Sequence, residues 1–387
     1  EIFPWATMFA LVSLRHVHKE DALLTSLLIL AMLVSAGWSL ATQQGADAIR
    51  SLAAYINPIL AFVTFINLPK RWQERAIKLG RKIFIFVLCL GVGQYLGVLA
   101  PIDGFLSTLV PRASGTALTS LGGRGVTLLS SEPSRAGVEV VYLFLLWRLT
   151  GRRRGLIVED IGLLIFLGLA IRAAQPFAFG VLAVGMLLVR RWYHVAFVAF
   201  LILLAPVVEL GSSSSRVLVL INEVHKMGFS DAMFFVANES GHRLLSIYAF
   251  FIYGFYHPFG GGIGSWAVSS IEAIQLTGVN ISGFRYFTIH GDGDIIGIRG
   301  SGLLSNLMLD GGIITTGFFL FWVFRLTKRF RAWDRVTWII MVVLILKISF
   351  IGSVGEPLPW VVSALVLRDN FLRKAEKTNC QEKRRLW

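Results

Sequence analysis

The stretch Ala22–Ala41 reads ALLTSLLILAMLVSAGWSLA and contains no charged side chain. As an α-helix rising 1.5 Å per residue, it is long enough to cross the roughly 30 Å hydrocarbon layer of a bilayer. Glu20 and Asp21 bound it on one side and the polar Thr42-Gln43-Gln44-Gly45 on the other. Runs of the same kind recur at Ile83–Ala100 and Leu303–Val323, each bounded by charge or by Pro and Gly. In lipid every backbone N–H and C=O must be satisfied within its own segment, so repeated runs of this length imply helices.

Composition widens that inference to the whole chain. Of 387 residues, 55% are hydrophobic and only 16% charged, more apolar surface than a soluble domain of this size can hide. The expectation is an all-α polytopic membrane protein, one integral membrane domain over residues 1–387 with about 11–12 transmembrane helices. The first apolar run, Ile2–Leu14, is short and the chain starts at Glu1, so one further helix is expected before it. No cleavable signal pattern is visible. Cys89 lies in an apolar run and Cys380 in a basic tail, which argues against a disulfide framework or a thiol metal site.

The net charge of +14 raises nucleic acid as a partner, but its distribution argues against one. Lys and Arg fall in short clusters between apolar runs, as loops on the inner side of a membrane require. The clusters are Pro69–Lys82, Arg148 with Arg152–Arg154, Arg190–Arg191, Arg325–Arg335 and the tail after Leu367. Alternation from these anchors places two sizeable loops on the outer side, residues 101–135 and 211–302. The apolar run 244–256 falls inside the second. If it crossed the bilayer, Arg325–Arg335 would lie outside, so it reads as an interfacial helix. Glu139, Glu209, Asp310 and Lys347 are isolated charges near span ends and read as structural.

Function is expected in the two outer loops. Nine of the ten outer basic residues are Arg, the exception being Lys226. A planar guanidinium matches phosphate oxygens two at a time, so this bias points to a phosphate or diphosphate, with headgroup contact as the plainer explanation. Three stretches carry the chemistry. The first is Gly122-Gly123-Arg124-Gly125, then Ser131-Glu132-Pro133-Ser134-Arg135. Pro133 suits the first turn of a helix, which puts Glu132 at a helix mouth, where a carboxylate takes up a proton or a sugar hydroxyl, or simply caps the helix.

The second stretch is Glu239-Ser240-Gly241-His242-Arg243, followed by His257-Pro258-Phe259-Gly260-Gly261-Gly262-Ile263-Gly264. His242 is a candidate acid or base beside Arg243, and the Gly-rich turn is expected to fold under a lipid headgroup. His257 opens that turn as a further candidate. The third runs from Arg285 to Arg299 around His290-Gly291-Asp292-Gly293-Asp294, a weak oxygen-ligand pattern from which no metal is expected.

Taken together, the dozen or so spans, Gly-Arg-Gly with Ser-Glu-Pro-Ser in an early outer loop, and Arg243 with His257–Gly264 in a late one resemble the O-antigen polymerase (Wzy-type) family. The wider superfamily includes the O-antigen ligases. The ligase pattern expects a His shortly before a paired-glycine turn. Here that turn is Gly311-Gly312 and no His stands at Arg299–Ser301, which favours the polymerase.

The resemblance implies a bacterial inner-membrane glycosyltransferase whose active site faces the periplasm. It would move a growing glycan from undecaprenyl diphosphate to the non-reducing end of a new lipid-linked repeat unit, without a cofactor. Its partners would be the undecaprenyl-diphosphate-linked oligosaccharide, the lipid bilayer and a chain-length regulator protein. In that scheme Glu132, His242 and Arg243 are catalytic, and Arg124, Arg135, Arg243, Arg285 and Arg299 bind the diphosphate. His257, His290, Asp292 and Asp294 are further candidates. A polysaccharide flippase is the non-enzyme alternative. It would line a central cavity with intramembrane charge, usually with inverted repeats, and no repeat is visible.

Overall fold

A computed structural model describes residues 16–41, 45–99, 101, 125–130, 132–150, 157–188, 226, 242–281, 284–328, 334–352 and 354–385. These residues are mostly helical, and no strand occurs among them. The helices in chain order are α1 (Lys19–Ala41), α2 (Gly45–Ile66), α3 (Lys70–Tyr95), α4 (Pro133–Thr150), α5 (Ile157–Ile165, continued as a π-helix over Phe166–Ile171) and α6 (Ala174–Leu188). After these come α7 (Arg243–Tyr256), α8 (Trp266–Leu276), α9 (Arg285–His290), α10 (Leu303–Lys328), α11 (Arg335–Phe350) and α12 (Leu358–Arg385). Three stretches among the described residues are long and apolar enough to cross a membrane: Lys19–Ala41, Asp47–Ile66 and Leu303–Lys328.

Helix α1 has the length and the surface of a membrane-crossing helix. Its buried stripe is Asp21, Thr25, Leu28, Met32, Ala36 and Ser39, at the three- and four-residue steps of one helical face. Its outward face carries Leu23, Leu27, Leu30, Val34 and Trp38, all exposed. The buried face is thus the more polar one, the reverse of an amphipathic helix on a water-soluble protein.

The chain divides into two compact units, residues 1–73 with 233–387, and residues 74–232. In the first, α10 is central and touches α1, α7, α8 and α11. At one end of α10, Trp322 Nε1 donates to Thr25 Oγ1 of α1 at 2.9 Å. There Phe62, Phe319, Trp322 and Trp360 form an aromatic knot, with ring centroids 5.4–5.9 Å apart, that joins α2, α10 and α12. At the other end Tyr55 of α2 and Ser35 of α1 reach Asp310. The late part of α1 therefore lies beside the early parts of α2 and α10, and α1 runs antiparallel to both.

Helix α10 is broken. Gly312 has φ 64° and ψ −172°, outside any helical region. The carbonyls of Leu309 and Asp310 accept from the N–H groups of Gly261 and Gly262, at 2.9 and 2.8 Å, and Ile314 N–H donates to Pro258 C=O at 3.2 Å. The turn 258–262 thus plugs the break and satisfies its backbone. Irregular backbone within a spanning segment is tolerated only where protein covers it in this way. A Cβ on Gly312 would lie 2.2 Å from the Pro258 oxygen, and one on Gly260 would lie 2.5 Å from the Asp310 backbone. The Gly-rich turn, expected to lie under a lipid headgroup, is instead packed against the protein's own backbone.

In the second unit, α4 begins at Pro133, as the proline suggested. Arg172 forms a left-handed turn (φ 56°) between the π-helix and α6. Gln94 of α3 exchanges both of its amide hydrogen bonds with the backbone of Leu128, at 3.0 and 3.2 Å. Gly125 sits against the Ile171 carbonyl, so its missing side chain makes room for protein rather than ligand. Arg148 clamps the buried Asp160 with two 3.0 Å bonds.

Candidate functional site

The site is built on the plugged half of α10. Asp310, two residues before the break at Gly312, is enclosed, with 4% of its surface accessible. Tyr55 Oη donates to its Oδ2 at 2.8 Å. Ser35 Oγ donates to the Asp310 carbonyl at 3.2 Å and accepts from Ile263 N–H, so α1 fixes both the plug and the helix it fills. Asp310 Oδ1 is buried and has no hydrogen-bond partner among the described residues.

A cleft too narrow to hold a water molecule lies beside this carboxylate. Its polar walls are Ser51, Tyr55, Trp266, Arg299, Asn306 and Asp310, and Ala54 and Val354 complete it. Arg299 lies on the loop leading into α10. Its guanidinium stands 4.9 Å over the Trp266 ring and donates to Ser51 Oγ at 3.1 Å. Asn306 holds that loop. Its Nδ2 donates to the Gly300 and Gly302 carbonyls at 2.9 and 2.6 Å, while its Oδ1 accepts from Gly300 N–H. Ser301 Oγ bonds the Phe350 carbonyl and Gly302 N–H bonds that of Gly352. Below them, Lys347 and Glu356 make a buried 2.8 Å ion pair. Lys347 is thus paired within the fold, while Asp310 faces the cleft.

His242 joins the same neighbourhood. Its ring lies tilted at 52° with its centroid 4.2 Å from that of Tyr286, which lies 4.8 Å from His290. Burial, then the charge of Arg243, pushes the His242 imidazole down to about 4, and the backbone carbonyl of Arg299 opposes this only in part. His242 is therefore neutral at pH 7 and a weak base.

His257 belongs to a different cluster, stacked 4.3 Å from Tyr253 and 3.6 Å from Glu272. Burial, followed by the Glu272 carboxylate, raises the Tyr253 phenol to about 12. Asp292 and Asp294 are exposed on the turn that ends α9, and Asp292 has φ 51°. No group of three His, Cys, Asp or Glu that could hold a metal occurs among the described residues.

The structure therefore gathers His242, His290 and Arg299 from the expected set. Arg243 opens α7, half-buried next to His242. Arg285 opens α9, and its side chain lies outside the described residues, as does Arg124. Glu132 and Arg135 belong to the second unit. There Glu132 is exposed and accepts from Ser134 Oγ at 3.3 Å. The structure adds to this neighbourhood Tyr55, Trp266, Asn306 and Asp310, the last expected from the sequence as a structural charge. The available signal was that Ser35, Ser39, Ser51 and Tyr55 sit at the same end of neighbouring spans as Asp310. No family model matches this chain, and no curated protein or solved structure matches it.

Proposed function

We propose that this chain is a polymerase of lipid-linked polysaccharide repeat units, acting at the outer face of a bacterial inner membrane. The polytopic reading with about 11–12 spans and outer loops at 101–135 and 211–302 belongs to this proposal. The basic ends of α10 and of the segment after α2 orient both helices, so that the Asp310 cleft faces outward.

In the reaction, a hydroxyl oxygen at the non-reducing end of an incoming repeat unit attacks the anomeric carbon of the growing chain. The new C–O bond forms as the anomeric C–O bond to the diphosphate breaks. The electron pair leaves on undecaprenyl diphosphate, and the hydroxyl proton passes to a carboxylate or imidazole. The observation that carries this reading is Arg299, a guanidinium held over Trp266 beside an enclosed carboxylate. A fixed cation there stabilises charge growing on a departing diphosphate, while the carboxylate serves the hydroxyl. Glu132, Arg124, Arg135, Arg243 and Arg285 remain proposed contributors from the loops.

A transporter is the second reading. The buried Lys347–Glu356 pair favours it, because intramembrane charges often line conduction paths. That pair is internally neutral and leaves Arg299 without a role, so the transferase is preferred. A deletion strain separates the readings on a lipopolysaccharide gel. One repeat unit on the core means polymerase, and none means a ligase or a transporter. Complementation with Arg299→Ala should give chains much shorter than the parent's, as loss of one charge-assisted contact costs about 1.5–3 kcal/mol. Parental chain length at normal expression would remove Arg299 from the site.

A further inference from the structure

We infer that α7 does not lie along the membrane surface but descends into the bilayer beside α10, and that the rings at its lower end pack against lipid acyl chains. The inference requires α1, α2 and α10 to cross a bilayer and is independent of the transferase reading.

The sequence permits a descent. From Leu244 to Ile271 the chain carries no Asp, Glu, Lys or Arg. The packing gives its direction. A Cβ on Gly254 would lie 2.6 Å from the Met308 oxygen, and one on Gly312 would lie 2.2 Å from the Pro258 oxygen. Four residues along the chain from Gly254 thus match four along α10, so α7 runs parallel to the enclosed half of α10. The turn 258–262, which fills the break, is the lowest point. Its Gly261 and Gly262 N–H groups bond the Leu309 and Asp310 carbonyls, as irregular backbone at membrane depth requires.

Three spans fix the depth of that turn. Asp310 lies seven residues past Leu303, where α10 begins. Ser35, which bonds both the Asp310 carbonyl and Ile263 N–H, lies six before Ala41, where α1 ends. Tyr55, bonded to the Asp310 carboxylate, lies eight past Asp47, where the span of α2 begins. At 1.5 Å per residue these positions are about 10, 9 and 12 Å inside the shared ends of the three spans. The chain then climbs, for Gly264 packs against Asp47 and Ala48 at the end of the α2 span.

The outward face is apolar. Tyr248, Ile252 and Phe255 follow at helical steps, opposite the buried Ala249, Phe250, Tyr253 and Gly254, and Phe259 comes next in the turn. Tyr248, Phe255, Tyr256 and Phe259 are 55–75% exposed. The surface to which they belong continues onto membrane-crossing helices. Ile314, exposed on α10, donates its N–H to the Pro258 carbonyl, and Trp38, exposed on α1, stands beside Gly262. What covers those faces of α1 and α10 is lipid, and Phe259 lies between them. The polar groups at this depth are on the other side of α7, where His257 stacks on Tyr253 and stands 3.6 Å from Glu272 of α8.

The test uses the full chain with Cys89→Ser and Cys380→Ser, in phosphatidylcholine nanodiscs. Phe259→Cys and Tyr256→Cys carry an environment-sensitive fluorophore, one variant at a time. Ile314→Cys is the lipid reference and Asp292→Cys the water reference. The quenchers are aqueous iodide and phosphatidylcholine with a nitroxide on its acyl chain. Probes at 259 and 256 should emit at shorter wavelength than the one at 292 and lose fluorescence to the nitroxide lipid as the one at 314 does. A probe from Leu244→Cys, at the upper end of α7, should instead lose fluorescence to iodide.

Iodide quenching at 259 and 256 as strong as at 292 would overturn the inference by placing this end in water. Shielding from both quenchers would also overturn it, because protein would then cover the rings. Equal nitroxide quenching at 244 and 259 would mean a helix lying flat, and would overturn the descent.

Discussion

The two halves of α10, before and after the break at Gly312, belong to one apolar run, yet they are built in opposite ways. From Leu303 to Gly312 every residue is buried, and the half carries Ser305, Asn306 and Asp310. From Ile313 onward the helix alternates between the exposed Ile313, Ile314, Leu320, Phe321 and Phe324 and the buried Phe319 and Trp322. The first half is held by directed polar bonds to a plug, a loop and two neighbouring helices. Beyond the plug, the second is held mainly by aromatic packing, with the Trp322–Thr25 hydrogen bond and an exposed Arg325–Glu20 ion pair at 3.8 Å. The lesson is that a membrane helix facing lipid needs only shape, whereas one carrying a site must be enclosed by protein so that its polar groups are satisfied.

The sharpest break of this comparison is glycine against glycine. Gly312 has a positive φ and its Cβ position overlaps the Pro258 oxygen, while Gly317 has nothing within 4 Å of its own. Gly312→Ala adds backbone strain of about 1–3 kcal/mol before the overlap is counted, and should abolish recovery of folded protein. Gly317→Ala should leave stability unchanged or raise it by about 0.5–1 kcal/mol. Fluorescence-detected gel filtration after a heat ramp reads both. Equal losses would mean that the halves do not differ as described.

Next in size is the ion pair beneath the loop that enters the site. Lys347→Met strands Glu356 in a buried position and should cost about 3–5 kcal/mol. The double change Lys347→Met with Glu356→Leu should recover most of that. If the single change is harmless by the same thermal assay, the pair does not support the 299–302 loop.

A smaller loss is expected in the lipid-facing half. Thr25→Val removes the hydroxyl that accepts from the buried Trp322 indole N–H, and should cost about 1–3 kcal/mol. Transfer activity per folded molecule should be unchanged, because Thr25 lies at the end of α1 away from Asp310. A fall in activity without a fall in stability would couple the two halves.

Much of the scaffold was legible before the structure. The lipid-crossing length of α1 and α10 came from apolar runs and the start of α4 from Pro133, while the 244–256 run was read as interfacial from the basic cluster Arg325–Arg335. Fourteen residues of helix rise about 21 Å, short of the hydrocarbon layer. The break at Gly312 was not legible, because a hydropathy run averages across a kink that changes no residue's polarity. The partner of the break lies about fifty positions earlier, in a turn whose glycines read equally well as a ligand cradle. Asp310 read as a structural charge for the same reason. One carboxylate in an apolar run looks isolated until Tyr55, Ser35 and Trp266 are brought to it by tertiary contacts.

The smallest expected effect concerns His242, which sits at the start of α7, the helix packed along the enclosed half of α10. Its imidazole is held down at about 4 by burial and then by Arg243, against an ordinary value near 6.5. Between those two values the unfolded chain binds a proton that the folded chain refuses. Stability conferred by the neutral ring is therefore fully present above about pH 6.5, falls as the pH drops toward 4, and changes no further below it. The slope cannot exceed one proton's worth, and it is smaller here because the ring is only half-buried and solvent screens it. His242→Phe keeps a flat ring against Tyr286 and removes the titration. Melting temperatures measured from pH 7 to pH 4 should fall less steeply in the variant than in the parent, with the two curves diverging below pH 6.5. Transfer rates in the parent should show no inflection near 6.5 that vanishes with the substitution, because the ring is already neutral there. Parallel melting curves across that window would mean that His242 is as open to water as any surface histidine. The enclosure assigned to this end of the molecule would then stop short of α7.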